Sequence, residues 1–399
     1  MSEDIAVTKF REYLRVNTEQ PKPDYHACQK FLYSLADELG ITRTSHEMVP
    51  GKPIVIMTIP GVEPSLPSLI FYSHTDVVPT FKEHWTYDPC SAHKDEHGRI
   101  FARGAQDMKC VGSQYFEAIR RHFLRGKRQF RRTVHLVWGP DEEIGGRDGM
   151  GKFVDTDEFR TLNVGFALDE GLASENEARA GKFWRKCANL GLQAFEVIFT
   201  GGTGHASKFV ENTAIEKLHK FMDCALAFRA KQKANLDGNP DLHDGDVTTL
   251  NITVIEGGVQ TNVVPEKIVI KVDCRVALTE DFYELEKRIR GWCEDDGVTL
   301  QFRSKSTMRI VTPTTRDDPW WAALEDVLDE EGCPFTKEIF PAGTDSRYLR
   351  AKGLKAIGFS PMINTPSLLH DHNEYISEST FLRGVEIYEK LIERLADLA

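Results

Sequence analysis

The sequence predicts an α/β fold in which a larger domain, with a mostly parallel sheet covered by helices, is interrupted by a smaller ferredoxin-like α+β domain. Short apolar strands alternate with helical segments over the first 186 residues, which is typical of a parallel sheet with both faces covered. From residue 187 to residue 307 the pattern changes to β-α-β-β-α-β, the ferredoxin-like arrangement. The length of 399 residues exceeds what a single hydrophobic core usually organises.

The elements of the larger domain follow from the spacing of apolar residues. Helical spacing over residues 6–39 predicts helices on either side of a turn near residues 18–23. Beyond them we expect strands at residues 53–59, 68–72, 133–138 and 164–168, and helices at residues 109–125 and from residue 149. After residue 307 we expect a helix at residues 318–331, a strand at 356–359 and a helix at 378–398.

The inserted segment has its own alternation. Strands are predicted at residues 194–199, 248–255, 267–276 and 298–303, and helices at residues 214–231 and 279–295. About 120 residues suffice for an independent core. The simplest interpretation is therefore one α/β domain, residues 1–186 and 308–399, with an insertion at residues 187–307.

Composition excludes several classes of partner. The net charge is −11, with 61 acidic against 50 basic residues, which argues against a protein that binds a nucleic-acid backbone. No apolar run approaches the roughly 18 to 20 residues that span a bilayer, and the first residues lack a signal-peptide pattern. We therefore expect no membrane partner. The eight cysteines contain no C-x-x-C pair, so they are interpreted as the free thiols of a cytoplasmic protein.

Acidic or imidazole side chains occur in five clusters where predicted strands end or loops follow, which is where an open α/β sheet places its ligands. Zinc accepts imidazole and carboxylate ligands, and one carboxylate can bridge two metal ions. The clusters are His74 and Asp76 in SHTDVVP, Asp107 in ARGAQDMKC, Glu142 and Glu143 in GPDEEIGG, Asp169 and Glu170 in ALDEG, and His370 and His372 in LLHDHNE.

Each cluster alone also has a purely structural explanation. His74 with Asp76 is compatible with a hydrogen-bonded turn, and the Glu142–Glu143 pair with a solvated loop. Asp107 is compatible with a helix N-cap, for which aspartate is favoured. The joint occurrence of all five clusters, in this order, is what favours a metal site.

These segments, together with GGTGHAS, resemble the dizinc metallopeptidase/aminoacylase family, which also holds carboxypeptidases, dipeptidases and deacetylases. The resemblance covers essentially the whole chain, and YSHTDVVP and ARGAQDMKC favour the aminoacylase branch. It implies a zinc-dependent amidohydrolase with two Zn²⁺ per subunit. The implied substrate is a small N-acyl-L-amino acid, which zinc-activated water splits into a carboxylate and a free L-amino acid. A dipeptidase or carboxypeptidase on the same scaffold is the alternative.

The resemblance also implies a role for individual residues of the catalytic zinc-binding domain. Glu170 is preferred to Asp169 because it precedes Gly171, and His370 to His372 because the family pattern reads His-x-x-Asn-Glu. His74 and Glu170 would complete one zinc site, Glu143 and His370 the other, Asp107 would bridge them, Glu142 would be the general base, and Asp76 would orient His74.

The insertion, by the same resemblance, would be a dimerisation (lid) domain. His205 of GGTGHAS would reach into the active site of the partner subunit of a homodimer and stabilise the oxyanion; its alternative is an ordinary loop histidine. Asn262, Arg275 and Arg347 would bind the substrate carboxylate, since arginine grips carboxylates with two hydrogen bonds. A surface ion pair is the alternative for Arg275, and an ion pair with Asp345 is the alternative for Arg347.

Overall fold

The computed structural model describes residues 3–174, 183–189, 191–306, 310–333, 335–340 and 343–399. The chain divides into two compact units. The first comprises residues 1–188, 310–338 and 344–399, and the second comprises residues 189–309 and 339–343. The sequence-based boundary at residue 307 lies outside the described residues.

In the described part of the chain up to residue 189, the first unit contains five α-helices and eight strands. The helices are α1 (Ile5–Leu14), α2 (Tyr25–Leu39), α3 (Lys109–Leu124), α4 (Met150–Phe153) and α5 (Asp157–Thr161). The strands are β1 (Thr42–Glu47), β2 (Pro53–Ile59), β3 (Ser68–His74), β4 (His93–Lys94), β5 (Arg99–Phe101), β6 (Val134–Gly139), β7 (Val164–Glu170) and β8 (Phe183–Asn189).

The chain continues through the second unit and then returns to the first. The second unit contributes β9 (Gly191–Thr200), β10 (Gly204–His205), α6 (Ala214–Asp237), β11 (Thr249–Gly257), β12 (Val263–Val264), β13 (Lys267–Val276), α7 (Phe282–Gly291) and β14 (Val298–Ser306). The last segment contributes α8 (Pro319–Glu330), β15 (Phe335–Phe340), α9 (Ser346–Ala351), β16 (Lys355–Phe359), β17 (Tyr375–Ser377) and α10 (Glu378–Ala396).

The main sheet has eight strands in the order β1-β2-β6-β3-β7-β16-β8-β15. Its four central strands, β6, β3, β7 and β16, run parallel. On either side of them the neighbouring strands β2 and β8 pair antiparallel. The predicted fold class, a mostly parallel sheet in an α/β domain, is confirmed.

The central strands are mostly apolar because both faces of the sheet are covered. Along β3, Leu69 and Phe71 belong to one hydrophobic core, whereas Ile70 and Tyr72 belong to another. Successive side chains of a strand point to opposite faces, so each face packs against its own layer of helices. The first core includes residues of α1, α3 and α10, and the second includes residues of α4, α5 and α9.

The second unit contains a four-stranded antiparallel sheet in the order β11-β13-β9-β14. With its two helices it has the predicted ferredoxin-like connectivity. Alternate residues of β9, among them Phe195, Val197 and Phe199, are buried against α6 and α7. Helix α6 begins with a capping box in which Thr213 and Glu216 satisfy each other's backbone amides.

Among the described residues, no helix combines the length and the apolar character that a membrane crossing requires.

Candidate metal centre

The central parallel strands deliver the candidate ligands to one edge of the sheet. His74 is the last residue of β3, and Glu170 is the last residue of β7. A short 3₁₀ turn, Glu142–Ile144, follows the end of β6. Asp107 lies two residues before α3, and His370 lies in the loop before β17. Since parallel strands end at the same edge, residues far apart in the sequence converge there.

Two groups of side chains have the spacing that a metal ion needs. His74, Asp107 and Glu170 form the first group, and Asp107, Glu143 and His370 form the second; within each group the ligand atoms lie within 4.8 Å of one another. In the first, Nε2 of His74 lies 3.0 Å from Oδ1 of Asp107 and 4.0 Å from Oε2 of Glu170.

The second group uses the other oxygen of the shared aspartate. Nε2 of His370 lies 3.4 Å from Oδ2 of Asp107 and 3.0 Å from Oε2 of Glu143. The two oxygens of Asp107 therefore face two different imidazoles. A carboxylate placed in this way can bridge two divalent ions.

The two imidazoles and the Glu143 carboxylate of these groups have shifted pKa values that are consistent with a site for divalent cations. Burial lowers the pKa of His74, but the hydrogen bond and the charge of Asp107 outweigh it and raise that pKa well above its usual range. Hydrogen bonds to Asp107 and Glu143 raise the pKa of His370 to about 10. Burial, followed by the charge of Asp107, raises the pKa of Glu143. The protein thus holds carboxylates close together in a buried place, where a divalent ion would compensate their charge.

The ring orientation of His74 is fixed by a hydrogen bond on the side away from the metal group. Its Nδ1 donates to the main-chain carbonyl of Asp76 at 2.9 Å, whereas the Asp76 carboxylate is 3.7 Å away. Holding one ring nitrogen leaves the other directed at the metal position. The closer contact is therefore with the backbone of Asp76, and the predicted orienting role of its carboxylate stays a prediction.

The carboxylate of Asp76 contacts the turn that carries the two adjacent glutamates. Its Oδ1 accepts from the backbone amide of Glu142 at 3.0 Å, and its Oδ2 accepts from that of Glu143 at 3.2 Å. Nε2 of Gln20 donates to the same Oδ2 at 2.9 Å. Burial, followed by the charge of Glu170, raises the pKa of Glu142 well above its usual range. Glu142 belongs to neither metal group, although it precedes the ligand Glu143 directly.

Several supporting residues escaped the sequence analysis. Tyr25 donates its hydroxyl to Asp141 at 2.7 Å, and the Asp141 backbone amide donates back to that oxygen at 2.9 Å. Lys52 lies 2.5 Å from the other carboxylate oxygen of Asp141. Asp141 has a positive φ of 67°, so these contacts hold a left-handed residue just before Glu142. The only sequence signal was the acidic run of GPDEEIGG.

The two residues that the resemblance ranked second lie outside both groups. Asp169 accepts from the Ser346 hydroxyl at 2.7 Å and from the backbone amide of Glu170 at 2.8 Å. The ring of His372 lies beside that of His84, with ring centroids 4.9 Å apart. The structure thus brings Glu170 and His370 into the groups.

The predicted substrate-binding residues are divided between the units. Arg347 lies in the first unit, where it donates to the carbonyl of Gly145 at 2.6 Å and lies 3.8 Å from Asp345. Asn262 and Arg275 lie in the second unit, and so does His205, which was predicted to stabilise the oxyanion.

The three residues of the second unit differ in their contacts. Arg275 forms an ion pair with Asp273 through two hydrogen bonds, at 2.8 and 3.2 Å. This is the ion pair that the alternative interpretation of Arg275 predicts. His205 is exposed on β10, and its Nδ1 lies 2.8 Å from the hydroxyl of Ser207. The exposed Asn262 accepts from the Ala206 amide through its main-chain carbonyl at 3.0 Å.

The sequence matches the family described as Peptidase family M20/M25/M40 over residues 70–394. Aminoacylase-1 of Mus musculus is 49% identical over 399 residues, which cover 100% of this chain and 97% of that protein. Aminoacylase-1B of Rattus norvegicus is 48% identical over 398 residues, which cover 99% of this chain and 96% of that protein.

Solved structures share the fold at lower identity. The M20 family metallo-carboxypeptidase Sso-CP2 from Sulfolobus solfataricus superposes with a TM-score of 0.76 at 18% identity, covering 99% of this chain and 100% of that chain. The YXEP protein of Bacillus subtilis, described as a dinuclear metal binding peptidase from the M20 family, gives a TM-score of 0.66 at 14% identity and 100% coverage of both chains.

A mostly parallel α/β unit, a ferredoxin-like second unit and two imidazole–carboxylate groups that share an aspartate are combined in this chain. The side chains of the two groups converge at the ends of parallel strands. Its family match and its relatives identify it as a hydrolase that acts on amide bonds. The chain belongs to the M20/M25/M40 peptidase family, among the aminoacylase-1 proteins.

Proposed function

We propose that this chain hydrolyses N-acyl-L-amino acids, such as N-acetyl amino acids, to a carboxylate and a free L-amino acid. The observation that carries the proposal is the placement of the two oxygens of Asp107 against the imidazoles of His74 and His370. The 49% identity to mouse aminoacylase-1 over the full chain supports this choice of substrate. A dipeptidase or carboxypeptidase is the alternative, since a metallo-carboxypeptidase has the same fold.

Zinc is the metal that we propose for the centre, with two ions per chain. Mixed imidazole and carboxylate ligands suit zinc. His74 and Glu170 would hold one ion, Glu143 and His370 the other, and Asp107 both. A bound divalent ion supplies Lewis-acid polarisation of the amide carbonyl and lowers the pKa of water.

Glu142 is the proposed general base. It directly precedes Glu143, so its carboxylate is attached to the same turn as a metal ligand, while the Asp76 carboxylate holds its backbone amide. A carboxylate in this position can accept a proton from the attacking water and return it to the departing amino nitrogen. The hydrolysis then needs no further proton donor for the leaving group.

Recognition of the free α-carboxylate is proposed to involve Arg347 and Asn262. The carbonyl of Gly145 fixes the guanidinium of Arg347, and a fixed planar fork binds carboxylates with two hydrogen bonds. Arg275 is paired with Asp273 through Nε and Nη2, so its proposed part in binding the carboxylate would use the remaining donors of its guanidinium.

A homodimer is proposed in which His205 acts on the active site of the partner subunit. The exposure of His205 and the neighbouring glycines of GGTGHAS support this arrangement, because they permit close approach of another chain. Mixing an inactive Glu142→Gln protein with an inactive His205→Ala protein should restore activity as subunits exchange. Continued inactivity in a mixture with demonstrated exchange would exclude action in trans.

A cytoplasmic location is inferred from cysteine chemistry. Cys28, Cys90, Cys110, Cys224, Cys274, Cys293 and Cys333 are free thiols, and free thiols are typical of a reducing compartment. Fractionation of cells that express the tagged full chain tests this point, and recovery in the secreted fraction would contradict it.

The proposed reaction is tested by the release of free amino acid from N-acetyl-L-methionine, with unblocked dipeptides in parallel, on protein of measured zinc content. We expect rapid release from the acetylated substrate that a chelator stops and added zinc restores. Cleavage of dipeptides without deacetylation would replace the proposal by the peptidase alternative. No hydrolysis of either substrate by the zinc-loaded protein would reject both.

A further inference from the structure

Glu374 is a fully buried carboxylate that belongs to neither metal group. The donors to its carboxylate lie on the segment of residues 103–107, which ends at the shared aspartate. One oxygen accepts from Nη1 of Arg103 at 2.9 Å and from the Gly104 amide at 3.0 Å. The other accepts from the Gln106 amide at 2.6 Å and from the Asp107 amide at 3.2 Å. We infer that Glu374 is a positioning residue that fixes Asp107 and thereby sets the metal affinity of the centre.

The segment around Glu374 depends on this carboxylate for its conformation. Residues 103–107 lie between β5 and α3 without strand or helix pairing of their own, and Gly104 has a positive φ of 89°. Buried backbone amides need acceptors, and successive amides that point at one anion form a stable concave turn. Glu374 supplies that anion. The position of the Asp107 backbone therefore follows from the position of Glu374.

The same contacts tie together the two segments that carry the second metal group. Glu374 lies four residues after His370, so its hydrogen bonds connect the loop of His370 to the loop of Asp107. Gln106 adds side-chain bonds to the carbonyls of Pro366 and Tyr375, at 2.9 and 2.8 Å. The hydrogen bonds of Glu374 and Gln106 therefore set the distance between His370 and the shared aspartate.

Two other buried carboxylates outside the groups act on the backbone in a similar way. Asp76 accepts from the amides of Glu142 and Glu143, and Asp169 accepts from the amide of Glu170. The backbone amide of each proposed carboxylate ligand therefore donates to the carboxylate of a second residue. Glu374 differs from these two because it serves the aspartate common to both groups, so its loss should affect both metal positions.

Glu374→Gln is the informative change because it keeps the shape and removes the charge. Each oxygen of Glu374 accepts two donors. An amide nitrogen in place of either oxygen would face two donors and accept from neither. Loss of such a supporting partner typically weakens metal binding about 10- to 100-fold.

Glu117→Gln is the matched control. Glu117 is also a buried glutamate of the first unit and is paired with an arginine, Arg120, at 2.7 Å. It lies in α3, eight residues beyond Lys109, which is about 12 Å along the helix axis. Its replacement removes a buried charge of the same kind without touching residues 103–107.

The experiment measures the dissociation constants of zinc by chelator competition on the full chain, for the wild type, Glu374→Gln and Glu117→Gln, with the unfolding temperature of each metal-free protein. The inference rests on the proposed metal centre, and the wild type tests that centre separately. We expect tight binding of two ions to the wild type, about 10- to 100-fold weaker binding to Glu374→Gln, and less than a twofold change for Glu117→Gln. Absence of zinc binding by the wild type would reject the metal centre together with this inference.

A wild type that binds zinc, with Glu374→Gln affinities equal to those of Glu117→Gln, would overturn the role of Glu374 alone. If the glutamine variant does not fold, the zinc affinity of Glu374→Asp is measured in its place. This variant keeps the charge but shortens the reach, so it too should bind zinc more weakly than Glu117→Gln does. Equal zinc affinities of those two variants would overturn the inference.

Discussion

Replacing Glu142 by glutamine should separate proton transfer from metal binding at the centre. The backbone amide of Glu142 is held by Asp76 at 3.0 Å, and this contact does not involve the side chain that changes. Glutamine has the same shape but cannot accept the proton of the attacking water. General base catalysis contributes about 10²- to 10⁴-fold, so kcat should fall by that factor, which corresponds to about 2.7 to 5.4 kcal/mol of transition-state stabilisation.

The neighbouring residue provides the contrast. Glu143 lies 3.0 Å from Nε2 of His370, within the second metal group. Glu143→Gln should therefore lose metal from that group, whereas Glu142→Gln should keep the metal content of the wild type. The assay combines kcat on N-acetyl-L-methionine with metal content by elemental analysis of the same samples.

Two results would refute this reasoning. A Glu142→Gln protein with a tenth or more of the wild-type kcat would exclude Glu142 as the general base. A Glu142→Gln protein that loses metal as Glu143→Gln does would place Glu142 among the ligands. Glu63→Gln, at a position paired with the half-exposed Arg131 on the surface, is the control for effects of amide substitution in general.

Three further predictions concern packing, pH and the metal. Gly112→Ala should lower the free energy of unfolding by about 1 to 3 kcal/mol, since the added Cβ would lie 2.6 Å from Oγ of Ser73 and 2.8 Å from Nε1 of Trp138. Gly291→Ala, where the nearest atom is 4.0 Å away, should be neutral or slightly stabilising by denaturant titration. Burial lowers the pKa of His135 to about 4; the unfolded chain therefore binds the extra proton first, and stability present above pH ~6.5 is lost as the pH falls towards 4. At pH 5 this loss is on the order of 2 kcal/mol, and His135→Gln should reduce it in unfolding curves at pH 7.5 and 5. Removal of metal by a chelator should lower the unfolding temperature, because metal binds the folded state; at a free metal concentration of 100 Kd the stabilisation is about 2.7 kcal/mol.

Each of these outcomes has a clear opposite. Equal stabilities of the two glycine variants would show that the Gly112 helix can move away from β3 and β6 at no cost. An acid dependence unchanged in His135→Gln would assign the loss of stability to other groups. An unfolding temperature that is the same with and without chelator would contradict metal binding by the folded chain.

Local sequence patterns predicted the central elements well because burial on both faces leaves a strong signal. The strands β2, β3, β6 and β7 are predominantly apolar, and their buried apolar residues lie in one of two cores. The strand β1 was not predicted, since its six residues are all exposed or half-buried and it pairs only at the edge of the sheet. The helix predicted at residues 279–295 extends only from Phe282 to Gly291 in the structure, and its later start follows from Asp281, which caps the amides of Tyr283 and Glu284.

The sequence by itself determined the fold class, the family and the residue types available for a metal centre, because apolar periodicity and short motifs are local properties of the chain. Only the tertiary structure decided that the two oxygens of Asp107 face His74 and His370, that the Asp76 carboxylate holds the amides of Glu142 and Glu143, and that Glu374 supports Asp107. The bond between Glu374 and Asp107 joins residues 267 positions apart. Such a contact depends on where strand ends and loops meet after folding, and neither composition nor periodicity records that distance.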